Sequence, residues 1–312
     1  MSNLRIVSLL PSATEIVCAL GLQESLVGVS HCCDFPSSVS KLPVVTTSIV
    51  PAGLSSREID DCVSSALREG RSLYELDVPL VEELRPDVVI TQELCDVCAV
   101  DFQTAARVLA RLKSPPVLVS LQPNDINDIL EDVQHVGEAT GKSTEAGRFV
   151  ADARERLAQL KDKVAGRERP RVAALEWFDP LFSGGHWVPE QIVAAGGIPL
   201  LGHAKERSVR KPWSALLAED PDAIFLMPCG YNVQDTVKLS AALEVREEFQ
   251  QLRAVRQNKV WALDANSYFS RPSPRVVQGA ILLGHILHPD LIDCPPELEA
   301  AFQRKEPNVL IS

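Results

Sequence analysis

No run of about 18 apolar residues occurs anywhere in the chain, so no segment is suited to cross a bilayer as a helix. Positive charge is also short. Asp and Glu number 42 against 31 Lys and Arg, a formal net charge of −11, whereas a duplex or single-strand nucleic-acid surface needs the opposite sign. The sequence has no Gly-x-x-x-x-Gly-Lys-Ser/Thr, which excludes a P-loop kinase, and no Gly-x-Ser-x-Gly, which excludes the usual hydrolase elbow. Low-complexity tracts and short-period repeats are missing. Aromatic residues make up only 5% and histidines number six. The N-terminus enters an apolar strand almost at once, without the charged and apolar regions of a secretory leader. The expectation is a cytoplasmic protein, periplasmic if a leader has been removed.

What is present is an opening grammar that occurs twice. Arg5-Ile-Val-Ser-Leu-Leu-Pro-Ser-Ala-Thr-Glu15 is a short apolar strand running into a small-residue turn, followed by an apolar helix closed by Gly21. Arg171-Val-Ala-Ala-Leu-Glu-Trp-Phe178 repeats the strand, followed by a loop over 179–189 and a helix from Glu190 closed by Gly196-Gly197. Between the copies, 144–164 has helical character, and its residues would span about 32 Å. Alternating strands and helices in both halves predict parallel sheets. The 312 residues therefore divide into an N-terminal α/β lobe (1–122), a helical linker with the long bridging helix (123–166) and a C-terminal α/β lobe (167–312). The fold class is α/β: two parallel-sheet α/β lobes joined by a single long α-helix, with function expected in the cleft they form.

Parallel sheets place ligands outside the carboxyl ends of their strands, which selects the loops 11–15, 31–36, 92–100, 178–189, 228–232 and 264–274. Trp177, Phe178, Phe182, Trp187, Tyr231, Tyr268 and Phe269 fall in or beside the last three and suit the lining of a large flat ligand, or a plug for the sheet end. Of eight cysteines, Cys32, Cys33, Cys95, Cys98 and Cys229 follow strands, whereas Cys18, Cys62 and Cys294 are expected in cores. The thiols look reduced and not like a disulfide scaffold. Cys32, Cys95 and Cys98 with His186 could bind a soft metal, or be plain buried thiols. His31 lies beside Cys32. Glu15, Glu93, Glu176 and Asp264 are candidate acid–base groups for an enzyme.

Three phrases, Arg5 to Glu15, Phe182-Ser-Gly-Gly-His-Trp-Val-Pro-Glu190 and Phe269-Ser-Arg-Pro-Ser-Pro-Arg275, together resemble one family over essentially the whole chain. It is the cobalamin- and siderophore-binding branch of the helical-backbone substrate-binding proteins that serve importers. The resemblance implies a non-enzymatic binding protein, a monomer holding cobalamin or a related corrinoid between its lobes, with an ABC permease as partner or an intracellular handling role. It points to Ser12, Ala13, Thr14, Cys32, Asp34, Gly185, His186, Trp187, Tyr231, Tyr268, Phe269 and Arg271 as ligand-binding residues. A metal ion, haem or iron chelate held by the Cys/His loops is the alternative, and an enzyme using the carboxylates or Cys95 and Cys98 is a third. Two departures from the family pattern stand out. Val45-Thr46-Thr47-Ser48 lacks the Trp of the cobalamin importers' binding proteins, and an extra stretch, 49–73, follows it.

Overall fold

The structure is a computed structural model that describes residues 4–51, 53–69, 71–92 and 102–305. The chain folds as two compact units, 1–123 with 127–152 and 124–126 with 153–312. Apart from the short excursion at 124–126, the chain passes from one to the other within the helix Ser143–Val164, about 33 Å long at 1.5 Å per residue. Glu145 in its first turn and Lys161 and Lys163 in its last complement the helix dipole at both ends.

The N-terminal unit is built on six strands, β1 (Ile6–Ser8), β2 (Leu26–Val29), β3 (Thr46–Ser48), β4 (Tyr74–Leu76), β5 (Val88–Gln92) and β6 (Val117–Leu121). Four form a parallel sheet in the order β2-β1-β5-β6. Its central strands read as continuous apolar runs because both faces are covered, and Ile6, Val7, Val89 and Ile90 are fully buried. Val7, Leu9, Val45, Val81, Val89, Ala105 and Leu109 form the core on one side. The remaining two strands make a separate antiparallel ladder, with Thr46 opposite Leu76 and Ser48 opposite Tyr74. This ladder closes the extra stretch 49–73 at its base. The stretch itself is largely a helix, Ser56–Arg68, started by a capping box in which Ser55 and Glu58 satisfy each other's backbone N–H groups.

The C-terminal unit carries β7 (Arg171–Phe178), β8 (Leu181–Ser183), β9 (Ile198–Leu200), β10 (Val209–Arg210), β11 (Ala223–Leu226), β12 (Val260–Leu263) and β13 (Phe302–Arg304) in one sheet. Strands β9, β7, β11 and β12 are parallel, as the duplicated grammar predicts. Four strands, β8, β9, β10 and β13, were not legible. The segment 179–189, expected as a loop, contains β8, which folds back antiparallel on the end of β7. The antiparallel β10 then pairs with β8. The tail adds β13 antiparallel to β12. Leu175, Phe178, Leu181, Ile224, Leu226, Phe249 and Leu252 fill the core beneath, and full burial of one such large side chain contributes about 2–3 kcal/mol.

Candidate functional site

In the C-terminal unit β7, β11 and β12 run side by side, with Leu175 opposite Leu226 and Leu226 opposite Ala262. The segments that follow these residues therefore emerge at one edge. Their backbones are stitched together. The Cys229 N–H donates to the Glu176 carbonyl at 3.1 Å, the Asn266 N–H to the Tyr231 carbonyl at 3.0 Å, and the Gly230 N–H to Ser270 Oγ at 3.2 Å. On this base the Trp177 and Tyr231 rings meet edge to face with centroids 5.9 Å apart, an attractive quadrupole geometry. Tyr268 lies in the short helix Ala265–Tyr268, which Asp264 caps by accepting the Ser267 N–H at 2.9 Å. The Arg275 guanidinium sits over its ring at 5.6 Å. Trp177, Tyr231 and Tyr268 are each half-buried, and Cys229 is exposed.

A second layer holds these groups from behind. Trp187 is 5% exposed and donates its indole N–H to the Phe269 carbonyl at 2.8 Å. Gln191 is fully buried and its amide N–H₂ serves two carbonyls, Tyr268 at 3.0 Å and Val276 at 2.8 Å. Arg271, 8% exposed, donates to Asn266 Oδ1 at 2.8 Å. All three side chains brace the 264–276 segment.

The register of β7 against β8 breaks between Leu175 and Trp177. Such irregularities re-aim a side chain, here that of Glu176, whose carboxylate accepts from the Gly185 N–H at 3.3 Å and from the Ser208 hydroxyl. Burial pushes this carboxyl up to about 7, against the lowering effect of those two hydrogen bonds. The segment 201–210 lies tightly along 183–186. The His186 N–H donates to the Glu206 carbonyl at 2.6 Å, and the Lys205 N–H to the His186 carbonyl at 3.1 Å. A Cβ on Gly185 would stand 2.7 Å from the Arg207 carbonyl carbon and the Glu206 oxygen. Gly185 therefore serves a backbone–backbone approach inside the unit. His186 adopts φ 51° and stacks on Trp187 at 5.5 Å. Its Nδ1 is buried without a partner among the described residues, and burial, then the Arg207 charge, lowers its pKa.

In the N-terminal unit, the turn after β1 leads into the helix Pro11–Ala19 with Pro at its start. Ser12, Ala13 and Thr14 are buried, at 1% exposure or less. Thr14 donates to Ser8 Oγ at 2.8 Å and lies 3.1 Å from Cys33 Sγ, while Ser30 Oγ lies 3.2 Å from the same sulfur. Cys33 is thus a caged thiol. Cys32 and Asp34 are exposed. Cys18 is pushed up to about 11, by burial first and then by Glu15 and Cys33. His31 was not among the residues singled out for the ligand. Its N–H donates to Thr46 Oγ1 at 3.1 Å, its Nδ1 lies 2.8 Å from the same oxygen, and its ring packs on Tyr74 at 5.4 Å. No sequence motif announces this arrangement, because its partners belong to the ladder that closes the extra stretch.

The expected metal site is not assembled from what is described. Among the described residues no three His, Cys, Asp or Glu side chains converge, and Cys95, Cys98 and Glu93 lie outside them. The free thiols Cys18, Cys32, Cys33, Cys62, Cys229 and Cys294 form no disulfide with one another. No described helix is long and apolar enough to cross a membrane.

The chain is similar to several known proteins along most of its length. It is 25% identical over 301 residues to an uncharacterized ABC transporter substrate-binding lipoprotein of Bacillus subtilis, covering 92% of this chain and 80% of that one. It is 22% identical over 276 residues to the vitamin B12-binding protein of Vibrio cholerae, covering 88% and 85%. Among solved structures, the periplasmic vitamin B12 binding protein of Vibrio cholerae matches at TM-score 0.65 and 21% identity, covering 91% of this chain and 96% of that one. The periplasmic heme-binding protein of Roseiflexus sp. RS-1 matches at TM-score 0.69 and 23% identity, covering 92% and 99%. These structural likenesses are to the fold, and the two ligands they name differ. The expectation of a cytoplasmic location gains no support from relatives described as periplasmic or as a lipoprotein. The family model described as periplasmic binding protein matches residues 6–267, and the chain belongs to that family.

Proposed function

We propose that the protein is a non-enzymatic binding protein for cobalamin or a closely related corrinoid, delivering it to an ABC-type permease. The observation that carries this reading is the aromatic group at the carboxyl edge of the C-terminal sheet. Trp177 and Tyr231 at 5.9 Å, with Tyr268 braced by Arg275, offer half-buried ring surface held on a hydrogen-bonded base. A corrin presents an apolar macrocycle edged with amides, which suits aromatic walls and backbone or hydroxyl donors. Vitamin B12-binding proteins among the relatives favour the same ligand class. Binding by Trp187 and Phe269 would be indirect, through the loop they hold.

Titration calorimetry with cyanocobalamin, and in parallel with hemin, tests the proposal. Saturable binding of cyanocobalamin in preference to hemin is expected. Preference for hemin would assign the protein to porphyrin chelates, and heat without saturation for either would remove the chelate reading.

A further inference from the structure

Phe182 is a strand-end aromatic that the ligand surface described above leaves unused. In the sheet it stands opposite two residues at once, Trp177 of β7 on one side and Arg210 of β10 on the other. Side chains directly opposite each other across a ladder project from the same face. The neighbouring pair settles which face this is. Phe178 and Leu181, one step along each strand, both lie in the core, so alternation puts Trp177 and Phe182 on the other side of the sheet. Trp177 and Phe182 are half-buried there and Arg210 is exposed. The Arg210 guanidinium sits over the Phe182 ring at 5.5 Å, and Tyr231 meets Trp177 at 5.9 Å. Tyr231, Trp177, Phe182 and Arg210 therefore form one row across the carboxyl end of β7, with three aromatic members and a cationic last one. Trp177 and Arg210 are two strand spacings apart, about 10 Å.

The cationic end is held in place. Strand β10 has only two residues, and the packing of its flanks on β8 and the glycines after it fixes its position. The Lys211 N–H donates to the Leu181 carbonyl at 3.0 Å, the His186 N–H donates to the Glu206 carbonyl at 2.6 Å, and a Cβ on Gly202 would stand 1.8 Å from the Gly184 oxygen. Stacking on a ring also limits the rotamers of the arginine, so less entropy is lost when it takes a ligand. Its charge is the scarcer sign in this chain. Net charge is −11, yet 203–211 carries His203, Lys205, Arg207, Arg210 and Lys211 against the single acid Glu206. Lys205 is engaged by Asp125 at 2.6 Å, and the Arg207 charge acts on His186. Arg210 is the member of this basic run that the register places in the aromatic row. A guanidinium carries its N–H donors in one plane, in a fork that matches two oxygens of a phosphate or a carboxylate.

We propose that Arg210 is a specificity-determining residue of the ligand site, and that its guanidinium, stacked on Phe182, takes an anionic substituent of the bound chelate, a phosphodiester or a carboxylate. The flat body of the ligand lies on Trp177 and Tyr231, and the row carries its charged arm outward to the edge strand. The inference rests on the aromatic edge being the ligand surface, as proposed above, and for a corrinoid the anion is the phosphodiester of the nucleotide arm.

Titration calorimetry on the full chain tests it with three probes: cyanocobalamin, dicyanocobinamide, which is the corrinoid without the phosphodiester and nucleotide, and hemin, whose anionic groups are carboxylates. Arg210→Ala, a truncation at an exposed position, should weaken cyanocobalamin binding roughly 10-fold and leave dicyanocobinamide affinity unchanged. Arg210→Lys keeps the charge without the fork and should fall between the wild type and Arg210→Ala. Added salt should weaken cyanocobalamin binding more in the wild type than in Arg210→Ala. Equal losses for the two corrinoids would give Arg210 a packing role, and no loss for either would remove it from the site; each overturns the inference while the corrinoid reading stands. Binding of hemin alone, weakened by Arg210→Ala, would overturn the corrinoid reading and keep the anion role, with a carboxylate as the anion. Binding of none of the three overturns both.

Discussion

Replacing Glu176 with Gln should remove a pH dependence from the stability of the C-terminal unit. Burial raises the carboxyl from an ordinary 4.5 to about 7, and the hydrogen bonds from Ser208 and Gly185 only partly oppose this. The folded protein therefore binds a proton that the unfolded chain has already released. Stability from this group is fully present below pH 4.5, falls as pH rises from 4.5 through about 7, and levels off above. The difference between those two values corresponds to about 3 kcal/mol. Gln keeps the geometry, since its Oε1 can accept the Gly185 N–H while Nε2 donates to Ser208 Oγ. All four tryptophans, Trp177, Trp187, Trp213 and Trp261, lie in the C-terminal unit, so tryptophan fluorescence in urea reports on it. Asp132, pushed up to about 7 mainly by burial, titrates in the same direction but in the other unit. The wild type should lose stability between pH 5 and 8 by this probe, and Glu176→Gln should lose about 2–3 kcal/mol less over the same interval. Parallel curves for the two proteins would refute the argument that the buried carboxyl is protonated in the fold.

Trp187→Phe deletes the donor to the Phe269 carbonyl at 2.8 Å; it should destabilise the C-terminal unit by about 1–3 kcal/mol, measured by calorimetry, and no loss would show that carbonyl to be satisfied otherwise. Gly185→Ala should displace the 201–210 segment, because the atoms 2.7 Å from the added Cβ are backbone and cannot swing away; faster amide exchange at His186 and Lys205 than in the wild type is the expected readout. Trp177→Ala and Tyr268→Ala should each weaken cyanocobalamin binding by roughly 5- to 150-fold, the equivalent of about 1–3 kcal/mol of lost ring contact, and calorimetric affinities equal to wild type would place the ligand elsewhere. Exposed Cys32 and Cys229 should react first with a thiol reagent at pH 8, and Cys18, raised to about 11, should lag far behind; mass spectrometry of the labelled peptides decides it.

The parallel frame was legible because buried strands announce themselves as apolar runs, and Asp87-Val-Val-Ile-Thr91 or Ala223-Ile-Phe-Leu-Met227 have no other stable use. The bridging helix was legible for the complementary reason, a long stretch free of proline with its acids first and lysines last. The additions to each sheet were not. β8 and β13 are three-residue strands whose formation depends on the edges that β7 and β12 offer, and no local pattern records an edge. The site was half legible by the same logic. The strand-end rule selected loops that share one edge of the C-terminal sheet, because chain direction alone fixes which loops emerge together. It could not tell which residues of a loop face out. Trp187 and Phe269 were singled out as loop aromatics that the resemblance also marks, and a large aromatic is equally valuable inside: both are at 5% exposure or less. The contacts of His31 were not legible because its partners Thr46 and Tyr74 are contributed by a ladder 15 and 43 positions further along the chain.

That division of labour has a consequence for how the site tolerates change. Gln191 and Trp187 together fix three carbonyls of the 268–276 segment through side-chain donors, at 2.8–3.0 Å. A buried carbonyl deprived of its donor costs more than an exposed ring costs when exchanged for another. If Trp177, Tyr231 and Tyr268 meet the ligand as proposed, they are the residues free to be replaced when the ligand changes, and Trp187 and Gln191 are the ones that keep the backbone in place. On the proposed reading, a protein built this way would exchange one planar chelate for another by substituting half-buried aromatics over an unaltered backbone.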